Sequence, residues 1–268
     1  ARLLLSAAAQ AAGTTGELAL YAHCLRIDAV LARKGGDPDA AVASLRLAHR
    51  AAERAGSVAL GWLCRCELAL ALVDNEATAE AAALIPSEVP ADVAGLAWVA
   101  AAILEAYAVV AIANGQPAAA EPALYRAVDE RRRGGDVAGE VRALALLCDA
   151  LRLAGASQEA ARVARQVEAR AAAAGRPGLE LVALLAHCRL TGDAVSPATA
   201  ARCVHLAATA GGVTDQLAAL DLAVDAELRA GDRARALATA RQAVALAGAM
   251  VDQLPDTPNS PGKDATAA

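Results

Sequence analysis

A chain of 268 residues is long enough to bury a continuous core, and its composition, with nearly a third alanine, no phenylalanine and 2% aromatic residues, suits helices and offers little strand material. The formal charge of −5 and pI near 5.4 argue against a nucleic-acid surface, which needs a basic stripe to collect phosphates. No long apolar run is free of charge, the nearest being Trp98 to Ala113 with Glu105 inside it, and the first residues carry no secretory signal pattern, so no membrane contact and a cytoplasmic location are expected.

In chain order, Ala1 to Ala12 read as a helix closed by Gly13-Thr14-Thr15-Gly16, and its apolar start without a methionine suggests the remnant of a preceding hairpin in something longer. A helix from Glu17 to Lys34 stops at Gly35-Gly36, and Asp37-Pro38 supplies an N-cap and a first-position proline for its partner, Pro38 to Ala55. Ser57 to Val73 breaks at Asp74-Asn75, a short helix from Glu76 to Ile85 is cut off by Pro86 and Pro90, and a long helix from Asp92 to Ala113 ends at Asn114-Gly115. Its partner from Pro117 to Arg133 carries an internal Pro122 and ends in Arg131-Arg132-Arg133, a charge run suited to the negative end of the helix dipole.

The stretch from Gly135 to Gly175 shows the unit most clearly. Val141, Leu144, Leu147, Cys148 and Leu151 make one apolar face, Gly155 ends it, and Ala160, Val163, Ala164 and Val167 make a second up to Gly175. Then follow Leu179 to Leu190, Pro197 to Ala210 behind the N-cap Ser196, Thr214 to Ala230 and Arg233 to Met250. The tail over 251–268, rich in Pro, Asp, Ser and Thr, reads as disordered.

Breaks at Gly36, Asp74, Gly115, Gly155, Gly192 and Gly231 recur in steps of 38, 41, 40, 37 and 39 residues, and such a period means a solenoid of helical hairpins. Five residues after the breaks stand Ala41, Ala79, Ala120, Ala160, Pro197 and Ala236, and twelve after three of them Ala48, Ala127 and Ala243. This Gly-Asp/Gln-x-x-x-Ala pattern with a second Ala seven residues on resembles the second half of a tetratricopeptide (TPR) repeat. The likeness covers most of residues 16–250 and is closest to the long-repeat arms of MalT-like and large LuxR-type transcription regulators. It implies an all-α, right-handed α-solenoid of about six hairpins over 1–250, acting in bacterial signalling or transcription regulation as a sensor or protein-interaction arm.

In that family the first helix of each hairpin lines a concave groove, and the resemblance carries groove positions over at fixed offsets before each break. They are His23, Arg26, Val30, Arg33 and Lys34; Ala102, Glu105, Val109, Ile112 and Ala113; Arg142, Ala145, Asp149, Arg152 and Leu153; Arg189; and Asp221, Asp225 and Arg229. The groove so drawn is basic at its start and middle and acidic at its end, suited to a peptide or a small anionic effector held by guanidinium forks. The alternative is an ordinary solvated stripe. Arg142, Asp149 and Arg152 share one helical face and form its sharpest part.

Trp62, Trp98, Tyr107 and Tyr125 are dispersed and read as core or rim anchors. Cysteines at 24, 64, 66, 148, 188 and 203 read as small buried thiols. His187-Cys188 and Cys203-Val204-His205 on successive helices offer four N/S ligands on paper, but neighbouring residues on a helix face different ways, so no metal site is expected. No phosphate loop or catalytic constellation is present, so neither catalysis nor a cofactor is expected. A self-assembling scaffold docking copies through the N-terminal helix is the second reading, and an α-solenoid enzyme, with His23, Glu105 and Asp149 the residues to inspect, the third.

Overall fold

The computed structural model describes residues 2–251, leaving out the side chains of 2–4, 193, 250 and 251; the expected disordered tail lies outside the described residues. These residues form thirteen α-helices and no strand: α1 (Arg2–Thr15), α2 (Leu18–Lys34), α3 (Pro38–Arg54), α4 (Val58–Asp74), α5 (Thr78–Leu84), α6 (Ala97–Ala113), α7 (Pro117–Arg133), α8 (Val137–Leu153), α9 (Ser157–Ala174), α10 (Pro177–Thr191), α11 (Pro197–Ala210), α12 (Val213–Arg229) and α13 (Arg233–Val251). Each packs against its neighbour in sequence, and the first helices of successive hairpins also stack, α2 on α4 on α6 on α8 on α10. The chain is therefore all-α, six helical hairpins arrayed as a solenoid behind α1.

The breaks between paired helices rest on residues with positive φ: Gly36, Gly115, Gly155, Gly192 and Gly231, and at the second hairpin Glu76, with φ 59°. That corrects the expected break at Asp74 by two residues. Counted from Glu76, the alanine five positions on is Ala81, which is fully buried, whereas Ala79 is exposed. At the fifth hairpin a single 3-10 turn, Gly192–Ala194, follows the glycine, so the buried alanine is Ala200 instead of position 197. Ala41, Ala120 and Ala160 keep the register and have no exposed surface.

Small side chains at these crossings let paired helices approach closely, and the larger apolar residues fill the space between hairpins. The core divides along the solenoid: Leu45, Leu68, Leu72 and Ile103 belong to one cluster, Leu104, Leu124, Leu144, Leu147 and Val163 to the next, and Leu181, Leu185 and Leu206 to a third.

Two element boundaries, those of α1 and α6, differ most from the sequence reading, while α7 spans the expected residues with Pro122 inside it. Helix α1 runs through Gly13 to Thr15, where the Thr14 and Thr15 hydroxyls donate to the Ala11 carbonyl at 2.8 and 3.1 Å and serve its last turn. Helix α6 starts at Ala97 because 91–95 is a turn that sends Val93 into the core beside Ile85. Pro122 lies inside α7 on its exposed side without ending the helix. Finally, the array curls far enough to bring the start of α12 to the end of α2: a Cβ built on Gly212 would stand 3.6 Å from the Lys34 Cβ and from its carbonyl oxygen.

Candidate functional site

The stacked first helices carry most of the expected groove residues, and the structure sorts these into three groups. On α2, Arg33 donates from Nε to Asp74 at 2.8 Å and lies 3.5 Å from Glu67, while Arg26 approaches Glu67 only at 3.7 Å. The expected basic start is thus largely neutralised by α4. Further along, Asp149 accepts from Arg189 of α10 at 2.9 Å and sits 3.9 Å from Arg152. Arg142 is exposed and makes no ion pair among the described residues. The sharpest part of the sequence reading therefore comes together differently: Asp149 is shared by Arg152 and Arg189, and Arg142 stands apart. Asp221, Asp225 and Arg229 lie exposed on α12, which packs chiefly on α11 and α13.

Glu105 on α6 is held by both arms of Arg131, at 2.8 Å each, and Arg131 also donates to Asp136, the N-cap of α8, at 3.1 Å. Burial opposes the Arg131 charge, but the Glu105 and Asp136 carboxylates hold it above the ordinary guanidinium value. The arginine run at the end of α7 therefore does more than complement a helix dipole. Arg131 reaches into the groove, Arg132 reaches Glu140 at 3.0 Å, and Arg133 pairs with Glu130.

Between α2, α4 and α6 the concave face opens into a cavity of about 610 Å³, with Leu20, Leu60, Leu63 and Trp98 as its apolar wall. Trp98 keeps 48% of its surface exposed and Leu20 47%, the cost of leaving large apolar groups in water. His23, Arg26, Glu67 and Arg131 supply its polar groups. The Arg26 Nε is buried and has no hydrogen-bond partner among the described residues, so one donor there goes unused.

Sequence reasoning identified His23, Arg26 and Glu105 but missed Leu63, Glu67, Asp74, Trp98 and Arg131. A signal for two of them existed: counted back from Glu76, the groove offsets select Leu63 and Asp74. Trp98 stands in the first turn of α6, beyond the offsets, and Arg131 comes from a second helix, so no periodic rule finds either. No known family profile matches this chain, and no curated protein is similar to it.

Both oxygens of Glu105 and the Oδ2 of Asp149 accept from guanidinium groups, while the Asp149 Oδ1 is buried without a hydrogen-bond partner among the described residues. No helix among the described residues is long and apolar enough to cross a membrane.

Proposed function

We propose that this chain is a non-catalytic interaction module that takes a peptide segment of a partner protein on the concave face of its first helices, with the α2–α4–α6 cavity as the anchoring subsite. In line with the tetratricopeptide resemblance, it would serve as the regulatory arm of a larger bacterial signalling or transcription protein. The observation that carries the reading is the convergence of exposed Trp98 and Leu20 on one cavity beside the unused Arg26 donor. An aromatic or branched apolar side chain fits the wall, and a carboxylate next to it would pair with the guanidinium groups of Arg26 and Arg131 that line the cavity.

A peptide-display selection on the wild-type chain tests this. Enrichment of sequences pairing an apolar anchor with an acidic residue is expected, with Trp98→Ala weakening the selected peptides by about tenfold or more and Arg142→Glu leaving them within about twofold, since surface charge far from the anchor contributes little. Failure to enrich any sequence, or enrichment indifferent to Trp98→Ala, would defeat the proposal.

The scaffold reading draws on a different observation: Leu228, Leu237 and Val244 are exposed at the α12–α13 end, Val244 by 73%. Concentration-dependent oligomers in sedimentation, lost on Leu237→Glu with Val244→Glu, would favour it.

A further inference from the structure

All six cysteines are free and buried, but only two of them meet. Cys188 on α10 and Cys203 on α11 place their sulfurs 3.8 Å apart, 15 residues distant in the chain, with no exposed surface on either. Cys148 turns instead to the Ala160 carbonyl, at 3.5 Å. Cys64 and Cys66, two apart on one helix, point their thiols to different sides.

The chemistry of the pair also differs from that of the others. Burial pushes the Cys64 and Cys148 thiols up to about 11 and raises Cys66 as well. Cys188 moves the other way, because the hydrogen bond it shares with Cys203 outweighs burial and the Arg189 guanidinium adds to the effect. Cys203 is raised by that same hydrogen bond and by burial. The shared hydrogen bond thus favours a thiolate on one sulfur of the pair while the other keeps its proton.

Neither sulfur is exposed, and the cavity of about 450 Å³ between α9, α10 and α11 is lined by their neighbours Leu184 and Arg202 and not by the cysteines themselves, so a small oxidant reaches the pair when the α10–α11 hairpin opens locally. The chain between the two cysteines contains the irregular Gly192 turn, with φ 51° and ψ −113°, the place where the hairpin can adjust as the sulfurs close to the roughly 2.05 Å of a bond.

We propose that Cys188 and Cys203 form an oxidisable pair, which a small peroxide converts into a disulfide stapling α10 to α11. The Cys188 thiolate attacks one peroxide oxygen; the O–O bond breaks, hydroxide leaves and takes up a proton as water, and Cys188 becomes a sulfenic acid. The Cys203 sulfur then attacks the Cys188 sulfur, the S–S bond forms, and the sulfenic hydroxyl leaves with the Cys203 proton as a second water. Two thiols and one hydrogen peroxide give one disulfide and two waters. The staple fixes the helix turn that carries Arg189, and with it the Arg189–Asp149 bridge to α8.

The test treats the full chain with hydrogen peroxide, then denatures and alkylates it for intact-mass and peptide analysis. The expected result is an untreated chain that takes six alkyl groups and a treated chain that takes four, is lighter by two hydrogens before alkylation, gives a cross-linked peptide containing Cys188 and Cys203, and reverts with dithiothreitol. Cys203→Ser should lose the cross-link and leave Cys188 trappable by a sulfenic-acid reagent, while a Cys64→Ser, Cys66→Ser chain keeps it. Six alkylations after peroxide, or a cross-link between other cysteines, would overturn the proposal.

Discussion

Glu140 is the most deeply buried charged residue described, 1% exposed, near the start of α8. Burial opposes its ionisation, yet hydrogen bonds from Arg170 of α9 and Arg132 of α7 outweigh it and hold the carboxyl below its ordinary value of 4.5. One side chain thereby ties three successive helices. Because the folded carboxyl is depressed, its contribution to stability is present above the unfolded value and is lost as pH falls below about 4.5 and through the folded value. Glu140→Gln leaves both guanidinium groups in place and should cost about 1–3 kcal/mol at pH 7, with the difference from wild type shrinking toward pH 3 in urea titrations. A mutant deficit independent of pH would mean that packing, not charge, is at stake. Glu227 repeats the device on a smaller scale, bonded to Arg235 and Thr239. Neither role was legible in the sequence, because the partners come from neighbouring helices at separations no motif fixes. Cys188 and Cys203 are a similar case: their burial could be read from helical periodicity, and their mutual approach could not.

At the scale of the element, the left-handed turns between paired helices set the period of the array, and this part was legible because five of the six use glycine. Glu76 hid the sixth, since a residue with a side chain rarely adopts φ 59°. Of three substitutions, two should stabilise and one destabilise. Glu76→Gly removes left-handed strain of about 1–2 kcal/mol against a cost in unfolded-chain entropy, for a net gain of up to about 1 kcal/mol. Gly155→Ala imposes that strain at φ 80° and should cost about 1–2 kcal/mol. Gly61, inside α4, has nothing within 4 Å of a built Cβ, so Gly61→Ala should gain about 0.5–1 kcal/mol from helix propensity alone. Denaturant midpoints at constant slope measure all three, and a stabilising Gly155→Ala would contradict the turn geometry. The boundaries of α6 and α1 were misread for a reason of the same kind: inward placement of Val93 and carbonyl capping by two threonines are decided by packing and side-chain geometry, which periodicity does not contain.

Across the whole molecule, stability is distributed as in any array whose hairpins touch mainly their neighbours. Helices α6 and α8 are the richest in buried residues, with α7 packed between them, whereas Ala236 is the one buried apolar residue described on α13. Amide hydrogen exchange should therefore be slowest in α6–α8 and fastest toward α13, with α1 and α2 between them, and exchange that is uniform along the chain would show a single cooperative unit instead. The approach of Gly212 to Lys34 stands outside this pattern. Nearly all other contacts join helices adjacent or next but one in the chain, so their loop-closure cost is small and folding can start at any hairpin. Bringing residue 212 to residue 34 gains nothing until every hairpin between them has formed and stacked. That contact is the last to be made as the chain folds and the first to be lost when any hairpin between them opens, so its rate of formation reports completion of the entire array.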